Sequence, residues 1–267
     1  MDLGLNGKRA LVLASSRGLG LGIAKALASE GAHVLLVGRS GERLADNCKA
    51  INAEGQVKAN GGKADWVWGD LSEENFVEAM KTAVKEKLGG IDILVNNTGG
   101  PTPGTAEDMT ADKLDIFFQS MVLRVITLTN AFLPQMKEQG WGRILTCASS
   151  GVYEPIANLA LSNTLRSALV GWNKTIATEV AGFGITCNML LPGRIHTDRI
   201  DELDGANAKR TGKSVEEIRS ASLKTIPAGR LGRVEEFAAA GAFLCSVPAS
   251  YVTGTMLRVD GGASRSI

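Results

Sequence analysis

The sequence predicts a doubly wound α/β fold: a parallel sheet with helices on both faces. Three observations carry this. Short apolar runs alternate with helical patterns from one end of the chain to the other. Most of those runs are continuous in hydrophobicity, as expected of strands buried on both faces. The first of them leads through a glycine-rich turn into a helix, "ALVLASSRGLGLGIA" at 10–24.

Taken in order, the strand candidates are Arg9–Leu13, His33–Val37, Ala64–Trp68, Ile91–Val95, Arg143–Cys147, Thr186–Leu191 and Met256–Val259. Between them lie helical patterns. Leu19–Glu30 places Leu19, Ile23, Ala26 and Leu27 on one face, with Gly31 as its stop. Glu42–Ala53 follows. For Glu73–Glu86, Ser72 is the expected N-cap, and Glu73 and Glu74 suit the positive end of the helix dipole. Ala111–Gln139 and Asn158–Ala181 are the long helices, and Glu235–Cys245 is the last. In the second long helix Leu161, Leu165, Leu169 and Trp172 share a stripe, and Ser162 and Arg166 share the face beside it. This alternation predicts one Rossmann-type domain spanning 1–267.

One segment breaks the rhythm. Residues 194–232 are polar and contain no strand pattern, while Ser214 and Glu217 have the spacing of a capping box, so short helices are expected there. An insertion after a late strand lies at the carboxyl edge of the sheet, where α/β proteins bind ligands. It reads as a mobile substrate lid; a surface excursion or a subunit contact is the plainer alternative.

Composition narrows the function classes. Charged residues are 21% of the 267 and hydrophobic ones 44%, an ordinary globular balance. Lys and Arg (29) nearly balance Asp and Glu (28), leaving a net charge of +1. That argues against nucleic acid or an anionic membrane as partner. Cys48, Cys147, Cys187 and Cys245 are far apart, and two histidines are too few to complete a zinc pattern, so no metal site is expected. Buried free thiols fit a reducing cytoplasm. The N-terminal stretch reads as neither signal peptide nor membrane span, which needs about 18 apolar residues or more.

The glycine turn points to a nucleotide. Glycines at 18, 20 and 22 allow close approach, and the amides of the helix start would face a pyrophosphate, with Ser15, Ser16, Arg17, Gly18, Leu19 and Gly20 forming the cradle. A tight strand–helix turn is the plain alternative. The second strand ends in Gly38-Arg39 where an NAD site usually has a carboxylate. Arg39 and Arg17 together suit a 2′-phosphate, which favours NADP over NAD.

Further segments resemble the classical short-chain dehydrogenases/reductases. They are "GDL" (69–71), "NNTGGP" (96–101), "RILTCASS" (143–150), "LPGRIHT" (191–197) and "YVTGTMLRVDGG" (251–262). The resemblance implies a seven-stranded parallel sheet and a homotetramer or homodimer. It also implies coenzyme contacts at Asp70, Leu71, Asn97, Gly99, Pro192, Gly193 and Thr197. By the same likeness Asn96 fixes the loop around the coenzyme, and Ser149 takes the place of the catalytic serine.

The departures from that pattern are specific. Ala14 replaces the first loop glycine. The tyrosine position, thirteen residues after Ser149, is Ser162, and the lysine position is Arg166. The asparagine position falls on Met121 or Ser120. The chain thus resembles a divergent β-ketoacyl-acyl-carrier-protein-reductase-like subgroup that lacks the full Asn-Ser-Tyr-Lys tetrad.

Reducing a ketone requires a hydride on carbon and a proton on oxygen. A phenol with a pKa of about 10 is readily tuned toward neutrality. A serine hydroxyl is a far weaker acid, and a guanidinium keeps its proton. Arg166 can still clamp a ribose or phosphate, or stabilise an oxyanion; the alternative is a structural ion pair. Tyr153 is read as a relocated acid, a pocket wall or packing. His196 is read as a proton donor or an exposed hinge residue. Tyr251 is expected to pack near the closing strand, and His33 to be structural. The leading expectation is an NADP-dependent oxidoreductase acting on a small carbonyl or alcohol through an altered proton relay. The alternative is a non-catalytic NADP(H)-binding or sensor protein; a scaffold subunit that kept only the fold is a third reading.

Overall fold

A computed structural model describes residues 1–266. Seven parallel strands form one sheet in the order β3-β2-β1-β4-β5-β6-β7. They are β1 (Arg9–Val12), β2 (His33–Gly38), β3 (Lys63–Trp68), β4 (Ile93–Asn96), β5 (Gly142–Cys147), β6 (Ile185–Pro192) and β7 (Met256–Val259). Each coincides with a sequence candidate to within about two residues. The order reverses between β1 and β4, which opens a crevice at their carboxyl ends.

Successive side chains on a strand point to opposite faces, and the core follows that rule. Ala10 and Val12 of β1, with Val34 and Leu36 of β2, face one cluster, while Leu11, Leu13, Leu35 and Val37 face the other. The first face is covered by α1 (Gly18–Ser29), α2 (Gly41–Ala53) and the late helix Val234–Leu244. The short α3 (Gly55–Ala59), which the sequence pattern did not signal, adds Val57 there. The second face is covered by α4 (Phe76–Lys87) and by the two long helical segments. At the amino edge Asp92 accepts from Arg9 Nε and Nη2, both at 2.9 Å, and from the Arg9 amide at 2.8 Å, fastening β1 beside β4.

The helix expected over 111–139 is three pieces: α5 (Ala111–Phe118), a π-turn (Gln119–Leu123) and α6 (Arg124–Glu138). By length and composition alone Ala111–Glu138 is apolar enough to cross a membrane. Here Leu128, Phe132 and Met136 pack into the core instead. The second long helix, α7 (Ala160–Val180), buries Leu161, Leu165 and Leu169 in a third cluster near the carboxyl edge.

Residues 194–232 form α8 (Asp198–Thr211) and α9 (Val215–Leu223), followed by α10 (Val234–Leu244). The Ser214–Glu217 capping box is present. Carboxylate–arginine contacts link α8 to α9 and to the segment after β6. Buried Asp204 accepts from Arg194 and from Arg219 Nε (3.3 Å), and Arg219 also binds Asp201.

Two expectations are corrected. Ser72 does not cap α4, which begins later, after Asn75; its amide and hydroxyl instead bond Asp70 Oδ1 at 3.0 and 2.8 Å. An aspartate two residues upstream offers a closer acceptor than a helix not yet begun. Tyr251 is not packed: it is fully exposed on the turn before β7.

Candidate active site

The glycine loop joins β1 to α1. Ser15 is buried and committed to the framework: its hydroxyl donates to Val12 O (2.7 Å) and accepts the Val37 amide (2.9 Å). Ser15 thereby links the end of β1 to β2. Ser16 lies against Gly38 at the end of β2, where an added Cβ would come within 3.1 Å of it. Ala14 adopts φ 46°, a left-handed conformation that glycine holds without strain and alanine does not. Its carbonyl accepts Asn97 Nδ2 at 3.2 Å, binding the glycine loop to the loop after β4. Gly20 sits under this joint, and a Cβ there would be 2.6 Å from Ala14 O. Helix α1 starts after Arg17 with no side-chain cap and no acid in its first turn. Uncapped amides at a positive dipole end suit a phosphate.

The two arginines expected at a 2′-phosphate differ. Arg17 is paired across the groove with Asp198 (2.9 Å) and Glu202 (3.2 Å) of α8. Arg39 is exposed and has only Asp70, at 3.9 Å. Asp70 also holds Ser72, while Leu71 packs into the core beneath.

At the end of β4, Asn96 does not reach the glycine loop. Its Nδ2 donates to Thr129 Oγ1 on α6 (3.0 Å), and Asn97 does the loop-fixing instead. Asn96 Oδ1 and Thr98 Oγ1 are buried without partners. Gly99 is exposed, with open space where a Cβ would project.

At the end of β5, Ser149 Oγ accepts the Gly151 amide (3.1 Å), which leaves its proton free to donate. Ser162 and Arg166 rise from α7 below. Ser162 is partly buried on the first turn of α7. Arg166 is buried; its Nη1 donates to Cys147 O (2.9 Å) and its Nη2 approaches Thr98 O (3.5 Å). Burial lowers its pKa to about 10, and the nearby Arg199 charge acts in the same direction. No described carboxylate faces it, so the ion-pair alternative fails: two strand-end carbonyls take that place. The asparagine position falls in the π-turn, where Met121 is buried in the third cluster and Ser120 bonds its own helix at Ile116 O.

Tyr153 packs its ring against the same cluster, with Arg258 over the ring at 5.2 Å. The C-terminal segment wraps back here: Glu154 accepts the amides of Arg265 (2.8 Å) and Ser266 (3.1 Å), and Arg258 Nη1 reaches Ser266 O. Sequence reasoning missed this strap, because nothing local marks Arg258 and Glu154 as neighbours of one loop. Across the groove, Pro192 ends β6 and the Gly193 amide bonds Val259 O (3.0 Å). His196 is exposed, with only its amide engaged, by Gly232 O. Thr197 is the residue before α8, and its methyl approaches Gly18, 3.7 Å from an added Cβ. Arg199 Nη2 bonds Pro101 O at 2.7 Å. The start of α8 is thus anchored to both banks of the groove, by Arg17 on one side and Pro101 on the other. Among the described residues no cluster could hold a metal ion, and all four cysteines are buried and free.

Residues 13–264 match the family model described as Enoyl-(Acyl carrier protein) reductase. The chain is 34% identical to the D-beta-hydroxybutyrate dehydrogenase of Cupriavidus necator over 259 residues, covering 97% of this chain and 98% of that protein. It is 35% identical to a 3-oxoacyl-[acyl-carrier-protein] reductase of Aquifex aeolicus, over 98% and 99% of the two chains. Among solved structures, L-sorbose reductase from Gluconobacter frateurii, complexed with NADPH and L-sorbose, superposes with a TM-score of 0.91 at 31% identity over the full length of both. With sheet order, crevice and full-length likeness in agreement, the chain belongs to the short-chain dehydrogenase/reductase family.

Proposed function

We propose that this protein is an NADP(H)-dependent oxidoreductase that interconverts a small carbonyl compound and its alcohol through an altered proton relay. The observation that carries this is the convergence, at the carboxyl edge of β4 and β5, of a Ser149 hydroxyl with a free proton and the buried Arg166 guanidinium, which has no described counter-ion. The first suits hydrogen bonding to a substrate oxygen. The second suits the hydroxyls or phosphates of a coenzyme, or the negative charge that develops during reduction.

The coenzyme reading rests on the uncapped start of α1 and the close approach at Gly20. Arg39, exposed beside the end of β2, is the side chain most open to a 2′-phosphate. Asp70, Leu71, Asn97, Gly99, Pro192, Gly193 and Thr197 border the same groove. When bound, the nicotinamide supplies or accepts the hydride. Ser149 orients the carbonyl by donating to its oxygen, and Arg166 remains protonated throughout. Ser162 does not supply the proton, since its hydroxyl is too weak an acid. Tyr153 and His196 also border this edge. Tyr153, held by Arg258, forms the pocket wall and is one proton route; His196, exposed to water, is the other.

The second reading, an NADP(H) sensor without turnover, is favoured by the serine at 162. We also propose that the protein is cytoplasmic, consistent with its four free thiols, and homo-oligomeric. Leu114, Ile116, Phe118, Phe243, Val247 and Tyr251 are large apolar side chains left exposed in the single chain.

The test is to titrate NADPH and NADH by fluorescence and then follow absorbance with a panel of ketones and alcohols. Turnover supports the enzyme, and its loss in Tyr153→Phe or His196→Gln assigns the donor. Tight NADPH binding without turnover, with activity gained only in Ser162→Tyr/Arg166→Lys, establishes the sensor.

A further inference from the structure

Arg17 stands between two claimants. Behind it, Ser16 packs on Gly38, which places the loop beside Arg39 and the end of β2, where the adenosine ribose of a dinucleotide comes to lie in a doubly wound sheet. In front of it, α8 presents two carboxylates, and its two Nη atoms are already spent on them: Nη1 on Asp198 Oδ2 and Nη2 on Glu202 Oε1. Both acids lie in the first one and a half turns of α8, whose other anchor is the Arg199–Pro101 bond. Glu202 is shared with Arg199 at 3.5 Å. Arg17, Asp198 and Glu202 are all about half exposed or more, so each pair is screened and weak. A phosphate dianion offers the same fork more charge and several oxygens, and charge-assisted bidentate bonds of that kind are the stronger ones.

We propose that Asp198 and Glu202 compete with the coenzyme's 2′-phosphate for Arg17, so that a phosphorylated dinucleotide releases the start of α8 and an unphosphorylated one leaves it latched. The proposal rests on the NADP reading above. It makes the two lid acids determinants of coenzyme selectivity although neither need touch the coenzyme. It also couples coenzyme identity to access: the groove is released for substrate after the phosphate has taken Arg17. Released, the acids remain tethered through Arg199 and through the buried Asp204 network further along α8, so the movement is a local lifting of the first turns.

Two small probes isolate the phosphate: 2′,5′-ADP, which carries it, and 5′-AMP, which does not. Hydrogen exchange of residues 198–205 is followed with each, and affinities are measured by calorimetry. The expected result is exchange about fivefold faster with 2′,5′-ADP and unchanged with 5′-AMP. In Asp198→Asn/Glu202→Gln, the segment should exchange fast without any ligand, and 2′,5′-ADP should bind about tenfold more tightly while 5′-AMP binds as before. Arg17→Gln should loosen the segment equally but weaken 2′,5′-ADP. Binding of 2′,5′-ADP with exchange of 198–205 unchanged or slowed, or with the same affinity in the acid-neutralised variant, overturns the competition and leaves the coenzyme reading standing. Failure of both probes and of NADPH to bind at all overturns the coenzyme reading itself, and the competition with it.

Discussion

Arg166 Nη1 donates to the carbonyl oxygen of Cys147 at 2.9 Å, and no described carboxylate balances the charge. A second buried arginine, Arg143, also bonds carbonyls only, those of Ser246, Gly142 and Gly184, and is stacked on Trp141. Arg143 has three acceptors and an aromatic face at the amino edge of β5. Arg166 has two acceptors, one of them distant, at the edge where ligands bind. Its N–H donors are therefore under-used where a polyhydroxyl or phosphate ligand is expected.

Replacing Arg166 should separate stability from binding. Burial depresses its pKa to about 10, so it is charged at neutrality in an environment that resists charge. Arg166→Met should stabilise the ligand-free protein, by roughly 1 kcal/mol, because an uncompensated cation leaves the interior. The same variant should weaken NADPH binding at least about tenfold through lost charge-assisted bonds. Thermal unfolding with and without NADPH measures both effects, and a variant that loses stability in the free form contradicts the assignment.

Ala14 is a strained position, at φ 46°. Left-handed backbone costs a non-glycine residue about 1 kcal/mol. Ala14→Gly should relieve most of that and raise the melting temperature by about 2 °C. It should leave the Ala14 O–Asn97 bond, and with it NADPH affinity, unchanged. Gly20→Ala, in contrast, drives a methyl into that carbonyl and should abolish NADPH binding while the sheet still folds.

How much of this was legible in the sequence depends on the range of the interactions. Five of the seven strands were readable because a doubly covered parallel strand is a local apolar run; the partly exposed edge strands β3 and β7 are mixed in composition. The Ser214–Glu217 cap was readable for the same reason, since its partners are three residues apart. Ser149 was found by its resemblance to the family's catalytic serine, and Ser162 and Arg166 by counting on from it. What spacing could not supply was who holds whom. Ser15 turned out to join β1 to β2, Arg17 to be taken by α8, and Asn97, not Asn96, to grip the glycine loop. Those contacts link residues far apart in the chain, and polar side chains carry no periodic signature. The π-turn at 119–123 was likewise hidden, because its residues continue the helical pattern on both sides.

The Arg9–Asp92 pair predicts an acid limb of stability. Burial pushes the Asp92 carboxyl up, but the hydrogen bonds from the Arg9 side chain and amide, with the Arg9 and Lys8 charges, outweigh it and hold the pKa below 3.8. The folded state therefore resists protonating Asp92. The resulting stability is complete above the unfolded pKa and is lost as pH falls through the lower folded value. Asp92→Asn should cost about 2 kcal/mol at pH 7. The difference from the unaltered protein should shrink below pH 4, as seen in urea unfolding at a series of pH values. A pH-independent difference contradicts the pairing.

The proposed function has Ser149 and Arg166 support hydride transfer without the missing tyrosine. It is tested most directly by supplying NADPH deuterated at the nicotinamide C4 with a panel of small carbonyl compounds and seeking deuterated alcohol by mass spectrometry. Deuterium is expected in at least one alcohol, with a rate at least about a hundredfold lower in Ser149→Ala. Tight NADPH binding with no deuterium transferred to any carbonyl, or transfer untouched by the loss of Ser149, would contradict it.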